Sequence, residues 1–170
     1  VTGVGDVNND TYDDVLIGAP YTKVSIDGQD QPVGCAYLYL GSSTGLKASP
    51  AWTQCGTTIG GKFAASLAAA GDINQDGYDA FLVGEPFFSL SNEKQGAVYL
   101  FFGSVGGVRT DYYERTLGNK SDTEFGTSVS SAGNINLDER LDVIVGAPNY
   151  KADGIRPGRV MTYFAGVQGI

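Results

Sequence analysis

The 170-residue chain contains no histidine. This absence removes Ser-His-Asp and Cys-His catalytic arrangements, and with them the commonest general base and the commonest zinc ligand. Carboxylate pairs could still cleave glycosides, but the visible carboxylates cluster in loops with a metal-binding pattern and form no readable acid/base motif elsewhere. The sequence therefore predicts that the chain is not an enzyme.

Basic residues and long apolar runs are also scarce. The chain has 11 Lys and Arg against 19 Asp and Glu, a formal net charge of −8, whereas binding to a phosphate backbone depends on clustered cations. No run approaches the roughly 18 apolar residues that a membrane-spanning helix needs. We therefore expect no nucleic-acid partner and no membrane span in this chain.

Glycine and the smaller aromatic residues are abundant, whereas helix signals are sparse. There are 25 Gly, 10 Tyr and 8 Phe, a mixture typical of many short strands joined by tight turns that need positive φ angles. Hydrophobic residues make up 42% of the chain, which is enough for a core. The composition predicts an ordered all-β protein.

One motif occurs three times: an acidic loop that contains Asn runs directly into an apolar strand, and the strand ends in a Gly-x-Pro turn. The copies occupy residues 5–20, 71–86 and 133–148, and successive copies begin 66 and then 62 residues apart. A repeat of this length is a supersecondary unit that buries its apolar face against its neighbours. The chain is therefore predicted to be an array.

Period-two patterning predicts four strands in a complete repeat, with the second strand directly after the acidic loop. The others are a first strand of mainly small residues at 66–70 and 128–132, a third at 36–40, 97–102 and 160–164, and a more polar fourth at 51–54 and 112–116. Four antiparallel strands with small residues innermost describe a propeller blade. We place the repeats at approximately 1–57, 58–119 and 120–170.

Phe125-Gly126, an acidic loop and then Gly146-Ala147-Pro148 resemble the FG-GAP repeats that build the seven-bladed propeller of integrin α subunits. The resemblance covers nearly the whole chain. It implies an all-β fold of about three four-stranded antiparallel blades, as part of a larger or oligomer-completed propeller. It also implies that the acidic loops hold calcium on one face, while loops that join other strands form the opposite, ligand-binding face.

Coordination chemistry also favours calcium, because alternate loop positions supply the carboxylate, amide and main-chain oxygens that this ion prefers. An EF-hand is excluded, since its bidentate Glu position falls in the apolar strands, at Ile17, Val83 and Val145. The alternative is an Asx-rich turn without metal. We predict two or three structural calcium sites, with candidate ligands Asp6, Asn8, Asp10, the Tyr12 carbonyl and Asp14; Asp72, Asn74, Asp76 and the Tyr78 carbonyl; and Asn134, Asn136, Asp138, the Arg140 carbonyl and Asp142.

The three loops differ in a way that predicts an order of calcium affinity. The second loop has Ala80 where the last carboxylate is expected, and Asp79 is one residue early, which should point its side chain to the other face. The third loop begins with Asn134 instead of Asp. The predicted order is first loop, third loop, second loop.

Cysteine and asparagine patterns indicate an extracellular or cell-surface protein that is secreted. Cys35 and Cys55 flank a hairpin centred near Gly45 at equal distances, so they are expected to face each other and form a disulfide; two buried free thiols are the alternative. Asn9 and Asn119 begin Asn-x-Ser/Thr sequons. Asn119 lies in a polar link between blades and is the better acceptor, whereas Asn9 requires a side chain that points out of the first metal loop.

The first and last residues fall inside repeats. The chain begins at the end of an inner strand and stops before a fourth strand of the third repeat, and open sheet edges favour self-association. We expect a fragment of a longer protein; the alternatives are protomers that complete one another's blades and blades that stack into a surface fibre.

The leading functional hypothesis is a calcium-stabilised extracellular adhesion or ligand-binding scaffold that presents loops to a protein or glycan partner. The candidate partner-facing segments, 21–31, 87–94 and 149–156, follow the Gly-x-Pro turns. Aromatic side chains on loops often carry binding energy, so Phe87, Phe88 and Tyr150 are the candidate anchors. The alternatives are a structural surface or filament protein that assembles through blade edges and a noncatalytic accessory region of a secreted hydrolase. Glu85, which replaces Ala in the second turn, is interpreted as an exposed variant.

Overall fold

The computed structural model describes residues 1–90 and 93–166, and every regular element in that part of the chain is a β-strand. No helix there is long and apolar enough to cross a membrane. Three antiparallel sheets follow one another along the chain, and a small hairpin lies beside the first. This architecture confirms the all-β prediction.

Within each sheet the strands follow a simple spatial order. The first sheet contains, in that order, β1 (Thr2–Gly5), β2 (Asp14–Ala19), β5 (Cys35–Tyr39) and β6 (Trp52–Cys55), and the separate hairpin consists of β3 (Lys23–Ile26) and β4 (Gln29–Pro32). The second contains β7 (Ser66–Gly71), β8 (Ala80–Glu85), β9 (Ala97–Ser104) and β10 (Gly107–Leu117). The third contains β11 (Ser128–Gly133), β12 (Asp142–Ala147) and β13 (Arg159–Tyr163).

The sheets stack face to face as propeller blades, with β1, β7 and β11 side by side at the inner edge. The small side chains Ala68 and Ala70 of β7 are buried there, because neighbouring strands leave little room. One hydrophobic cluster, which includes Leu16, Leu38 and Phe81, lies between the first and second sheets; a second cluster fills the space between the second and third. The neighbouring repeats therefore share their cores.

A phenylalanine at the start of each new repeat joins the blades. Phe63 donates its N–H to the Val33 carbonyl at 2.9 Å, and its side chain is 2% exposed. Phe125 occupies the matching position in the next repeat and donates to the Gln95 carbonyl at 3.3 Å. Gly96 lies against Phe125 with φ at +81°, and an added Cβ atom would collide with the Phe125 carbonyl oxygen. This contact requires glycine both for space and for the left-handed backbone.

The observed strands differ from the predicted ones mainly at their ends. The predicted polar connection at 21–31 contains the β3–β4 hairpin, in which Lys23 pairs with Pro32. The β9–β10 hairpin is longer than predicted and turns at Val105-Gly106. The repeat boundaries at 1–57, 58–119 and 120–170 stay a prediction, and the last four residues of the third lie outside the described residues.

Candidate functional site

The first two acidic loops are closed by the same pair of hydrogen bonds. Asp6 Oδ1 accepts the N–H of Asp10 at 2.9 Å, and its Oδ2 accepts the N–H of Thr11 at 2.6 Å. Asp72 accepts the N–H groups of Asp76 and Gly77 in the same way, both at 2.9 Å. In both loops the two oxygens of the leading carboxylate therefore accept backbone N–H groups four and five residues later and hold the loop in a single turn.

The third loop makes only part of this closure. Asn134 Oδ1 accepts the N–H of Asp138 at 3.0 Å, and an amide has no second oxygen to continue the pattern. Hydrogen bonds from the backbone N–H of Arg140 and from the Asn136 side chain lower the pKa of Asp138. At the leading and middle positions that close the turn, the third loop thus has one carboxylate, Asp138, where each of the others has two.

The middle positions of all three loops are arranged alike. In the first loop, Asn8 Nδ2 donates to Asp10 Oδ2 at 3.0 Å, and Asp10 Oδ1 accepts the N–H of Tyr12 at 3.1 Å. The same two bonds, at 2.9 to 3.1 Å, join Asn74, Asp76 and Tyr78, and also Asn136, Asp138 and Arg140. The structure thus brings the oxygen-bearing side chains of each loop into one turn.

The final carboxylates, Asp14 and Asp142, are buried and tie the first and third loops to the end of the third strand of their blades. Asp14 accepts the N–H groups of Val7 at 2.9 Å and Gly41 at 2.8 Å. Asp142 accepts those of Ile135 at 2.7 Å and Ala165 at 3.0 Å. Burial raises the pKa of Asp14, while its two backbone hydrogen bonds act in the opposite direction. Both carboxylates have a structural contact that the spacing did not reveal.

The donor set of the first loop fits calcium. Among residues 1–90 and 93–166, no three carboxylate or thiolate groups converge as a metal cluster. Oxygen from an amide and from the main chain can complete a calcium shell. Asn8 Oδ1 is buried without a hydrogen-bond partner in the described part of the chain, and an unsatisfied buried oxygen calls for an explanation. A bound cation would satisfy it.

Asp79 turns away from its own loop and joins the first two loops together. Its Oδ2 accepts the N–H of Asp6 at 2.9 Å, and its own N–H donates to the Asp6 carbonyl at 3.1 Å. Burial raises the pKa of Asp79. A Cβ atom at Gly5 would overlap the Asp79 carboxylate. Asp79 stands one residue before the position expected for the last carboxylate, and this offset agrees with a side chain that points away from its own loop. The fold is needed to show that its partner is Asp6.

Cys35 and Cys55 pair directly across β5 and β6 and are joined as a disulfide, so the predicted pairing is confirmed. The bond holds the start of the link between the first two blades. Gly56, directly after Cys55, continues the pairing by donating its N–H to the Gly34 carbonyl at 3.0 Å.

The two sequon asparagines lie in different surroundings. Asn119 is exposed in the link that follows β10. Asn9 is also exposed, but its φ is 56°, and its Nδ2 atom would lie 3.6 Å from a Cβ atom added at Gly77 of the second loop. A glycan on Asn9 would therefore compete with the contact between the loops, and glycosylation of Asn119 stays the simpler prediction.

Cavities lie at the opposite ends of the strands, around the Gly-x-Pro turns. One has a volume of about 860 Å³, and two neighbours have volumes of about 320 and 350 Å³. Phe87 is half-buried and lines all three. All three predicted partner-facing connections contribute residues to the walls of these cavities, among them Tyr21, Phe87 and Asn149. Ser91 and Asn92 of the segment 87–94 lie outside the described residues.

The other two candidate anchors have little free surface. Phe88 is 3% exposed and packs in the core near Tyr99, with ring centroids 6.4 Å apart. Tyr150 is 8% exposed, and its hydroxyl accepts a hydrogen bond from Arg159 at 3.0 Å. Phe88 belongs to the hydrophobic cluster between the first two blades, and Tyr150 belongs to the cluster between the second and third. Phe87 is thus the most accessible of the three anchors.

The interpretation of Glu85 as an exposed variant is wrong. Its side chain is fully buried between the first two blades, where the Tyr99 hydroxyl donates to Oε2 at 2.7 Å. Its Oε1 atom has no partner in the described part of the chain and faces Gly61. Burial raises the pKa of Glu85 to about 7, although the Tyr99 hydrogen bond and the charge of Arg115 lower it. In the sequence, Glu85 stands out only because the other two Gly-x-Pro turns have Ala at this position. The packing of the blades shows that its side chain is buried.

Comparison with known proteins gives the family. The FG-GAP repeat profile matches residues 1–32 and 63–101. Chicken integrin alpha-8 is 34% identical over 149 residues, which cover 85% of this chain and 14% of that protein. Integrin alpha-5 of Xenopus laevis is 33% identical over 147 residues, which cover 84% of this chain and 14% of that protein.

The chain belongs to the FG-GAP repeat family and is similar to integrin α subunits. Integrin alpha-2 of cattle is 35% identical over 152 residues, or 84% of this chain. The chain spans only 12 to 14% of the length of these relatives.

Proposed function

We propose that the chain forms part of a calcium-stabilised extracellular adhesion propeller that binds a protein or glycan partner and is not catalytic. The similarity to integrin α subunits supports the adhesion class and the placement outside the cell. The observation that carries the ligand-binding function is the group of cavities around Phe87. Pockets that bind ligands are concave and combine apolar walls with a few polar groups.

Calcium has a separate role in this proposal. The acidic loops precede β2, β8 and β12, whereas the Gly-x-Pro turns follow the same strands, so the two sets lie at opposite strand ends. In the first loop Asp6, Asn8 and Asp10 would hold the ion, and the second and third loops would use the corresponding residues. When bound, calcium would neutralise repulsion among the carboxylates and fix the loop geometry. The ion would therefore stabilise the blades without contacting the partner.

The test is binding of the 170-residue chain to a panel of purified extracellular-matrix proteins and glycans, measured by surface plasmon resonance in calcium buffer. Phe87→Ala should weaken binding to the true partner at least about tenfold, because a hot-spot aromatic residue is typically worth about 2 kcal/mol or more and about 1.4 kcal/mol is tenfold. Leu46→Ala is the control, since Leu46 is 50% exposed and lies in the β5–β6 hairpin at the acidic-loop end. Binding that Phe87→Ala leaves unchanged, or no binding by any panel member, would overturn the proposed function.

A further inference from the structure

One position of the acidic loops faces the loop of the preceding blade. We call it the interblade position; it is the residue directly before the place of the last carboxylate, namely Asp13, Asp79 or Leu141. A Cβ atom added at Gly5 would collide with the Asp79 carboxylate, and one added at Gly71 would collide with Leu141 Cδ1. The two glycines have φ angles of +76° and +65°. Asp79 and Leu141 therefore meet the start of the preceding loop in the same way.

Asp79 holds the backbone of Asp6 at both of its polar groups. Its Oδ2 atom accepts the N–H of Asp6 at 2.9 Å, and its own N–H donates to the Asp6 carbonyl at 3.1 Å. A hydrogen bond from a backbone N–H to a carboxylate is stronger than one between neutral groups. The backbone that carries the Asp6 side chain is therefore fixed by a residue of the second blade.

The next residue of the first loop also lies against the second blade. The N–H of Ser104, at the end of β9, donates to the Val7 carbonyl at 3.0 Å, and Val7 is fully buried. A Cβ atom added at Gly103 would collide with the carbonyl oxygens of both Val7 and Asp79. The start of the first loop, Asp79 and the end of β9 therefore form one close contact.

Asp6 connects this contact to the candidate calcium site of the first loop. Its two carboxylate oxygens accept the N–H groups of Asp10 and Thr11, so a shift of the Asp6 backbone would displace the turn that carries Asn8 and Asp10. Residues that orient a metal ligand through hydrogen bonds typically change metal affinity about 10- to 100-fold when they are mutated. Asp79 is therefore placed to act on the first site, although it belongs to the second repeat.

The junction between the second and third blades has a different residue at the interblade position. Leu141 has no side-chain oxygen, so it cannot accept the N–H of Asp72, which corresponds to Asp6. A side-chain contact joins these two loops instead, in which Arg140 Nη2 donates to Gln75 Oε1 at 3.4 Å. The third repeat therefore shows which side chain the blade junction accepts when the carboxylate is missing.

We propose that Asp79 is a positioning residue for calcium in the first acidic loop and acts across the blade junction through the backbone of Asp6. This inference rests on the calcium role in the proposed function and adds a residue of the second repeat to the first site. It gives a function to a carboxylate that points away from its own loop. Calcium affinity of the first loop would therefore depend on contact with the second blade.

The test follows each loop separately during calcium titration of the EDTA-treated, dialysed 170-residue chain, by heteronuclear NMR of backbone amides. Thr11, Gly77 and Asp138 report the first, second and third loops. Asp79→Leu, which introduces the residue of the third repeat, should raise the calcium concentration at the first-loop midpoint about tenfold and change the third-loop midpoint less than about twofold. Asp79→Ala should act in the same way with a smaller side chain. An unchanged first-loop midpoint, or an equal shift in all three loops, would overturn the proposal.

Two further variants separate positioning from charge. Asp79→Asn removes the charge but keeps an oxygen that can accept the Asp6 N–H, so the first-loop midpoint should stay within about threefold of the original. Asp13→Leu is the matched control, because Asp13 is exposed at the interblade position of the first repeat. It removes one charge beside the same loop and should shift the midpoint less than about twofold. Weakening by Asp79→Asn or Asp13→Leu equal to that by Asp79→Leu would overturn the proposal.

Amide hydrogen exchange in EDTA gives a readout that needs no calcium. The Asp6 amide should exchange about tenfold faster in Asp79→Leu than in the original chain, and Asp79→Asn should restore most of its protection. Equal exchange of this amide in all three chains would overturn the proposal. If no loop of the original chain binds calcium, the calcium role fails and the inference fails with it. If the loops bind calcium but Asp79→Leu leaves the first loop unchanged, only the inference fails.

Discussion

Asp14 shows how one buried carboxylate can organise two chain segments. Its oxygens accept backbone N–H groups from Val7 and Gly41, so it connects the start of the acidic loop to the end of β5. Asp142 makes the same connection in the third blade. The second blade has Ala80 at this position, so the contact strengthens individual blades and is not obligatory for the fold.

Replacing Asp14 should destabilise the chain even without calcium. Asp14→Asn substitutes an N–H₂ group for one oxygen and leaves a backbone donor without an acceptor, which should cost about 2 kcal/mol of unfolding free energy. Urea unfolding in EDTA measures this. Asp13→Asn is the control, since Asp13 is exposed, and it should change the free energy by no more than about 0.5 kcal/mol. Equal effects of the two variants would show that the buried contact is unimportant.

Glu85 makes stability depend on pH in the direction opposite to that of a salt-bridged carboxylate. Its pKa in the folded chain is about 7, against an ordinary 4.5, so folding favours the protonated form. The stability associated with Glu85 is fully present below about pH 4.5 and is lost as the pH rises towards 7. The loss is on the order of 3.5 kcal/mol, because one pKa unit corresponds to about 1.4 kcal/mol.

Glu85→Gln should remove this loss. The measured quantity is the free energy of unfolding in urea, taken as the variant minus the original chain. This difference should be larger at about pH 8 than at about pH 5, by on the order of 2 kcal/mol. Glu85→Ala restores the residue of the other two turns, Ala19 and Ala147, and should remove the same pH dependence. Glu93→Gln, at an exposed position, should retain it. A stability difference between original and Glu85→Gln chains that does not vary with pH would refute this role of Glu85.

At the scale of elements, the junction between blades depends on glycine. Gly96→Ala would force a methyl group against the Phe125 carbonyl and hold alanine at a φ of +81°. The combined collision and backbone strain should cost about 3 kcal/mol or more. The control is Gly106→Ala, because a Cβ atom there would meet nothing within 4 Å. Thermal unfolding of the two variants measures the difference, and similar melting temperatures would contradict the requirement for glycine at this junction.

The disulfide between β5 and β6 should stabilise the first blade. Cys35 and Cys55 are 20 residues apart, and closing a loop of that size typically contributes about 3 kcal/mol. A reducing agent should therefore lower the urea midpoint of the original chain. It should have no effect on the Cys35→Ala/Cys55→Ala double variant, which should already show the lower midpoint. An original chain that reduction leaves unaffected would contradict the prediction.

The elements also show what the sequence could predict. Alternating apolar positions and the three loop copies located most blade strands to within one or two residues, and symmetry about Gly45 located the disulfide. The β3–β4 hairpin was not predicted, because Gln29–Pro32 is entirely polar apart from its proline and has no alternation of apolar residues. The hydrogen bonds of Asp14, Asp79 and Glu85 were not predicted either, since their partners come from other segments of the chain. Spacing identifies oxygen-bearing positions but does not reveal which of them face backbone donors.

At the scale of the whole molecule, the two strand ends have different charge and chemistry. Acidic turns lie at one end, and cavities with exposed cations lie at the other. Calcium ions in all three loops would change the formal net charge from −8 to about −2, which reduces self-repulsion in the compact state. Calcium should therefore stabilise the molecule without altering the cavities around Phe87.

The predicted order of affinity depends on Asp142. The order first, third, second counts this carboxylate as a ligand of the third loop, yet both of its oxygens already accept backbone N–H groups. If those contacts persist, the third loop keeps only Asp138 as a carboxylate ligand and should bind calcium more weakly than the second. Asp76→Asn removes a carboxylate from the second loop, and Asp138→Asn removes one from the third. A larger loss of calcium affinity in Asp138→Asn would support the order first, third, second, whereas a larger loss in Asp76→Asn would support the order first, second, third.

The most direct test of the central claim is calcium titration into the EDTA-treated, dialysed chain by isothermal titration calorimetry, with the melting temperature recorded before and after. We predict two or three bound ions and a higher melting temperature. Asp10→Asn should weaken one site, whereas Asp30→Asn, in the exposed β3–β4 hairpin, should weaken none. Absence of calcium binding, together with identical melting of the chelated and calcium-treated chains, would contradict the claim that calcium stabilises these blades.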